Sequence, residues 1–123
     1  MTERNDISAA EYAYIGDAVY ELLVRERLIE VPEGTAHPST YSLKYVTAQA
    51  QSEAFARIEG LLTEEECDIY KRGRNCVHGS IPKSASAQEY RRATGLEALM
   101  GYLWLGGKFD RARELFASAF DGE

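Results

Sequence analysis

Residues 93–107 carry a single charge, Glu97, in a run that is otherwise Ala, Thr, Gly, Leu, Met, Tyr and Trp. A helix apolar around nearly its whole circumference has to sit at the centre of a fold. The carboxylate inside it must then be hydrogen-bonded, paired or bound to a metal, because an isolated buried charge is prohibitively costly. A second stretch repeats the pattern. Asp17 is the only charge between Glu11 and Glu21, and its neighbours are Tyr14, Ile15, Gly16, Ala18, Val19 and Tyr20. Gly16, Gly95 and Gly101 lie inside these segments, and an interior glycine costs a helix about 1 kcal/mol relative to alanine. Such glycines mark a close approach of two backbones. If the two helices cross there, Asp17 and Glu97 can share a hard cation such as Mg²⁺, which takes carboxylate oxygens. Each acid can also be read as a residue of a solvent-facing stripe or as the partner of a buried arginine. Periodicity leaves these readings open.

The rest of the chain also reads as helix. Ser8 with Glu11 forms a capping box, and the helical period continues through Tyr12, Ile15, Val19, Leu22 and Leu23, predicting a first helix over residues 8–29. Pro32 stops it. A second helix is expected from Ser39 or Thr40 to Ile58, with Gly60 as its C-cap. The capping box Thr63 to Glu66 opens a third, which runs to about Arg72 and closes at Gly73. Residues 73–85 contain Gly79, Ser80, Pro82 and Ser84 without a clean period, which predicts a long loop. Ser86 and Glu89 cap a helix over residues 86–105, Gly106-Gly107 breaks it, and a last helix carries Phe109, Ala112, Leu115, Phe116, Ala119 and Phe120. No segment alternates like a strand, so the expected class is all-α, one domain over residues 1–123.

Composition narrows the function. At 45% hydrophobic and 28% charged residues, the chain can bury a core, which excludes disorder and fibrous classes. No apolar run is long enough for a membrane span, and no signal-type stretch follows the N-terminus, so a cytoplasmic protein is expected. The two cysteines do not have zinc-ligand spacing; Cys67 is expected in the core and Cys76 in the loop. The net charge is −6, yet residues 71–92 hold Lys71, Arg72, Arg74, Lys83, Arg91 and Arg92 against Glu89 alone, a local +5 on a body of −11. Such asymmetry steers a phosphate backbone to one face. Part of it has a simpler use, since basic residues at a helix C-terminus suit the dipole.

The residues also resemble a known family. Tyr14-Ile15-Gly16-Asp17-Ala18-Val19-Tyr20-Glu21 looks like the signature helix of ribonuclease III domains, and Leu96-Glu97-Ala98-Leu99-Met100-Gly101-Tyr102-Leu103 looks like their second acidic motif. Between them, Lys71-Arg72-Gly73-Arg74-Asn75 is similar to the motif of the Mini-III branch, which consists of the catalytic domain alone. The resemblance implies a homodimeric, Mg²⁺-dependent endonuclease for double-stranded RNA, with Mn²⁺ able to substitute. It further implies maturation of the precursor of the large-subunit (23S) ribosomal RNA as the usual role.

Carried over position by position, Asp17 and Glu97 are the implied metal-binding and catalytic acids. Full-length members carry a glutamate where this chain has Ala13 and an aspartate where it has Thr94. The Mini-III branch tolerates both losses, so they fit that resemblance; they leave the number of ions open, the resemblance implying one per subunit and not a second. Glu21, one turn on from Asp17, and Thr94 are candidates for an outer role, and Glu53 a weaker one. His37 and His78 are not needed. No appended RNA-binding domain is expected after residue 107, so the catalytic domain itself is expected to grip the duplex through Arg72, Arg74, Asn75, Lys83, Arg91 and Arg92. Contacts to phosphates and 2′-hydroxyls would predominate, since side chains cannot read the deep A-form major groove. Tyr14 is a candidate dimer contact, with ordinary core packing as its alternative. The rival functional reading is a ribonuclease III-like module that binds RNA or assists ribosome assembly without cutting; such a module is expected to lose the acids that this chain keeps.

Overall fold

The computed structural model describes residues 6–77 and 86–121. They form α1 (Ala9–Glu30), α2 (Pro38–Val46), α3 (Ala48–Ile58), a 3-10 turn (Glu59–Leu61), α4 (Glu64–Asn75), α5 (Ala87–Leu105) and α6 (Phe109–Asp121), with no strand among the described residues. The three capping boxes close as expected. In each, a hydroxyl accepts from the N3 amide and the N3 glutamate accepts from the N-cap amide, as Ser8 and Glu11 do at 3.1 and 3.0 Å. Two of the four unpaired amides at each helix start are thereby satisfied.

Helix α5 is central, packing against α1, α3 and α4. Leu96, Leu99, Met100 and Leu103 are almost fully enclosed, together with Val24 of α1, Ile58 of α3 and Leu115 of α6. Burial of each such side chain contributes about 1.5–3 kcal/mol. At the α1–α5 crossing the main chains touch, and a Cβ on Gly101 would lie 1.9 Å from the Tyr12 carbonyl oxygen. The crossing expected from the interior glycines is there.

Five expectations are corrected. The single helix from residue 39 or 40 to Ile58 is two helices, because Thr47 takes an extended backbone and its hydroxyl caps α3 by accepting from the Ala50 amide at 3.0 Å. An apolar period runs through such a break unaltered, which hides it. Gly60 lies within the 3-10 turn rather than capping a helix. The third helix does not close at Gly73 but continues to Asn75, so that Arg74 and Asn75 lie on its last turn and not in a loop. Gly73 is there for packing, since a Cβ on it would meet the Ala98 Cβ at 2.5 Å. Cys67 is half-buried rather than a core residue, and Cys76 caps α4 with its thiol 3.2 Å from the Gly73 carbonyl. Lys83 and His78 lie outside the described residues.

Candidate active site

Asp17 projects from α1 and Glu97 from α5 into one cleft of about 730 Å³, lined also by Ala13, Tyr14, Gln51 and Thr94. The crossing of α1 and α5 produces this meeting, because both acids lie beside the glycines at which the backbones touch. Asp17 is exposed and Glu97 half-buried. Burial, and then the charge of Asp17 within hydrogen-bond reach, lift the Glu97 carboxyl to about 7. Gln51 acts in the opposite sense, its Nε2 standing 3.4 Å from Glu97 Oε2. Below the acids, the buried Tyr20 hydroxyl donates to the Tyr45 carbonyl at 2.5 Å, and burial followed by the charge of Glu97 keeps it protonated.

Among the described residues no arginine or lysine forms an ion pair with Asp17 or Glu97. Among the described residues, then, Glu97 is not the partner of a buried arginine. Two carboxylates held together without a counter-charge suit a divalent cation, whose preferred donors are carboxylate oxygens and water. No cluster of three or more His, Cys, Asp or Glu occurs among the described residues, so the protein donor set is small.

The remaining candidates are spread over several places. Thr94 lines the cleft, but its hydroxyl donates to the Tyr90 carbonyl of its own helix at 3.0 Å. Glu21 is bonded to Arg25 at 2.9 Å and lines a separate groove. Glu53 accepts from Gln49 at 3.3 Å. Arg74, Asn75, Arg91 and Arg92 line a second cleft, of about 480 Å³, between the end of α4 and the start of α5. Arg74 donates to the Asn75 side chain at 3.1 Å with its guanidinium 5.8 Å from the Tyr70 ring centre. Arg72 stands apart and reaches the Ile7 carbonyl at 3.5 Å. Tyr14 is 81% exposed, so core packing does not explain it. Sequence reasoning passes over Gln51, although a polar residue one turn before Phe55 and two before Ile58, both buried, was a usable signal.

A helical domain whose two central helices present paired acids at a glycine crossing defines a class, and comparison with known proteins names it. The model of the Ribonuclease III domain matches residues 10–108. Proteins called Mini-ribonuclease 3 are similar over most of both chains. The one from Thermoanaerobacter sp. is 46% identical over 89% of this chain and 78% of its own length. That from Symbiobacterium thermophilum is 45% identical over 89% and 85%, and that from Enterococcus faecalis 39% over 94% and 89%. A crystal structure of a protein from Fusobacterium nucleatum superposes with a TM-score of 0.85 at 30% identity, covering 96% of this chain and 95% of that one. The chain belongs to the ribonuclease III family, in its Mini-ribonuclease 3 branch, and is an endoribonuclease.

Proposed function

We propose that this endoribonuclease cuts double-stranded RNA with a divalent cation, Mg²⁺ or in its place Mn²⁺, held by Asp17 and Glu97. Its substrate in the cell is then the precursor of 23S ribosomal RNA, met in the cytoplasm. The observation that carries this reading is the pair of facing carboxylates in one cleft, without a basic partner among the described residues. When bound, the cation supplies positive charge beside the scissile phosphodiester and acidifies a coordinated water. The chain's residues do the rest. Asp17 and Glu97 fix the position of that charge, and the α1–α5 crossing fixes the distance between them. The products carry 5′-phosphate and 3′-hydroxyl ends. Arg74, Asn75, Arg91 and Arg92 suit the duplex backbone, and Lys83 and Arg72 are assigned to the same task on charge alone.

The exposed side of α1 supports a two-fold dimer, with Tyr14, Leu22 and Ile29 open to solvent on the helix that carries Asp17. A symmetric pair places one site against each strand of a duplex. Light scattering is expected to give twice the 13.8 kDa chain mass.

The test is incubation of the purified protein with a duplex RNA in Mg²⁺ or chelator, beside Asp17→Asn and Glu97→Gln. Cleavage is expected from the parent in Mg²⁺ alone, with both variants inactive yet folded. Cutting by either variant at near the parent rate would refute the assignment.

A further inference from the structure

Gln51 is 5% exposed, yet it lines the cleft that holds Asp17 and Glu97. It sits on the first turn of α3, with its amide bonded to the Thr47 carbonyl at 2.9 Å. The break at Thr47 ends α2 at Val46, and the Val46 carbonyl accepts from Gln51 Nε2 at 3.1 Å. The other Nε2 hydrogen faces Glu97 Oε2 at 3.4 Å. Two acceptors thus fix which end of the carboxamide is the nitrogen, since turning it over would set oxygen against oxygen. The carbonyl end is left over. Gln51 Oε1 is buried and has no hydrogen-bond partner among the described residues. An orphaned buried acceptor is destabilising, and native proteins keep few of them.

We propose that Gln51 is a positioning residue of the metal centre: its Nε2 clamps Glu97 so that the carboxylate faces Asp17, and its Oε1 gains its missing hydrogen bond when a hydrated divalent cation fills the cleft. This rests on the metal-dependent reading above. Groups that orient a ligand and accept from a metal's hydration shell are commonly worth tenfold or more in metal affinity. A purely structural Gln51 would instead tie α2 to α3 through Val46 and leave metal affinity untouched.

The experiment is a Mn²⁺ titration of the full metal-free chain at pH 8, read by the electron paramagnetic resonance signal of free Mn²⁺, well below the melting temperature. Gln51→Met keeps the shape without either polar atom, and Glu97→Gln removes a ligand. Gln51→Met is expected to weaken Mn²⁺ binding about tenfold to a hundredfold. Parental affinity in Gln51→Met overturns the proposal. If Glu97→Gln also binds Mn²⁺ like the parent, the metal site itself falls and Gln51 with it; if Glu97→Gln weakens and Gln51→Met does not, only the role of Gln51 is lost.

Discussion

The main chain at Gly16 lies directly against the carbonyl of Glu97: a Cβ on residue 16 would stand 1.5 Å from that oxygen and 2.9 Å from the Gly101 amide nitrogen. Neither neighbour is a side chain that can swing aside, so the helices would have to separate. Gly16→Ala is therefore expected to cost at least about 3 kcal/mol, the range reserved for severe packing conflicts. Gly60→Ala is the contrast, because nothing stands within 4 Å of a Cβ there. Thermal melts should show a large drop for the first and little change for the second. Equal melting temperatures would refute the crossing.

The Glu97 carboxyl, lifted from 4.5 to about 7 in the folded chain, holds its proton more tightly than in the unfolded one. Stability of the metal-free protein therefore falls as pH rises through that window and remains reduced above it. Glu97→Gln removes the penalty. In chelator at pH 8 the variant is expected to be more stable than the parent by about 1–3 kcal/mol, with the difference gone at pH 4. Urea melts at the two pH values measure it, and a parent more stable at pH 8 contradicts it.

Glu66 and Arg111 join α4 to α6 through two contacts of 2.8 and 2.9 Å, with the Glu66 side chain only 7% exposed. Arg111 holds the Glu66 carboxyl below its ordinary value. The stability this gives is present above the unfolded pKa of about 4.5 and is lost as pH falls through the lower folded value. Arg111→Met leaves the buried carboxylate without a counter-charge, held only by its bonds at the Thr63 cap, and is expected to cost about 2–4 kcal/mol at pH 7, somewhat below a fully enclosed pair because Arg111 is partly exposed. Below pH 4 the cost should shrink as Glu66 takes up a proton. A cost that did not change with pH would assign the effect to packing.

The second cleft gives a salt-dependent outcome. Each arginine that meets a phosphate displaces condensed counterions. Arg74→Ala with Arg91→Ala should weaken duplex RNA binding and flatten the log-log salt slope by about one to two units. Titrations in a Glu97→Gln background keep the RNA intact. Arg72→Ala is the internal comparison, expected to change the slope less because its guanidinium turns to the Ile7 carbonyl. A slope unchanged in the double variant would place the RNA on another face.

Much of this was legible in the sequence, for identifiable reasons. The capping boxes at Ser8, Thr63 and Ser86 act within one turn, so they survive any tertiary context. The lone acids and interior glycines of α1 and α5 could be read because a single charge and a missing side chain both stand out in an apolar run, although Asp17 proves exposed and only Glu97 is half-buried. Thr47 and Gly73 misled for the complementary reason. A threonine cap inside an unbroken apolar period gives no sign of itself, and a glycine at the end of a basic run suits a helix terminus as well as it suits a packing contact with Ala98. Gln51 stayed hidden because its importance comes from residues 46 and 97, far from it in one case and across a helix break in the other.

The contact between α1 and α5 is made by backbone, and this separates two properties that usually move together. The gap between Asp17 and Glu97 is set by peptide groups of Gly16 and Gly101, not by the girth of the Leu, Met and Phe side chains that hold the rest of the core. Substitutions at Leu99, Leu115 or Phe116 can therefore raise or lower the melting temperature while the acids keep their spacing. The core of this enzyme is free to be retuned for heat or cold, and the spacing of its two facing acids will not register the change.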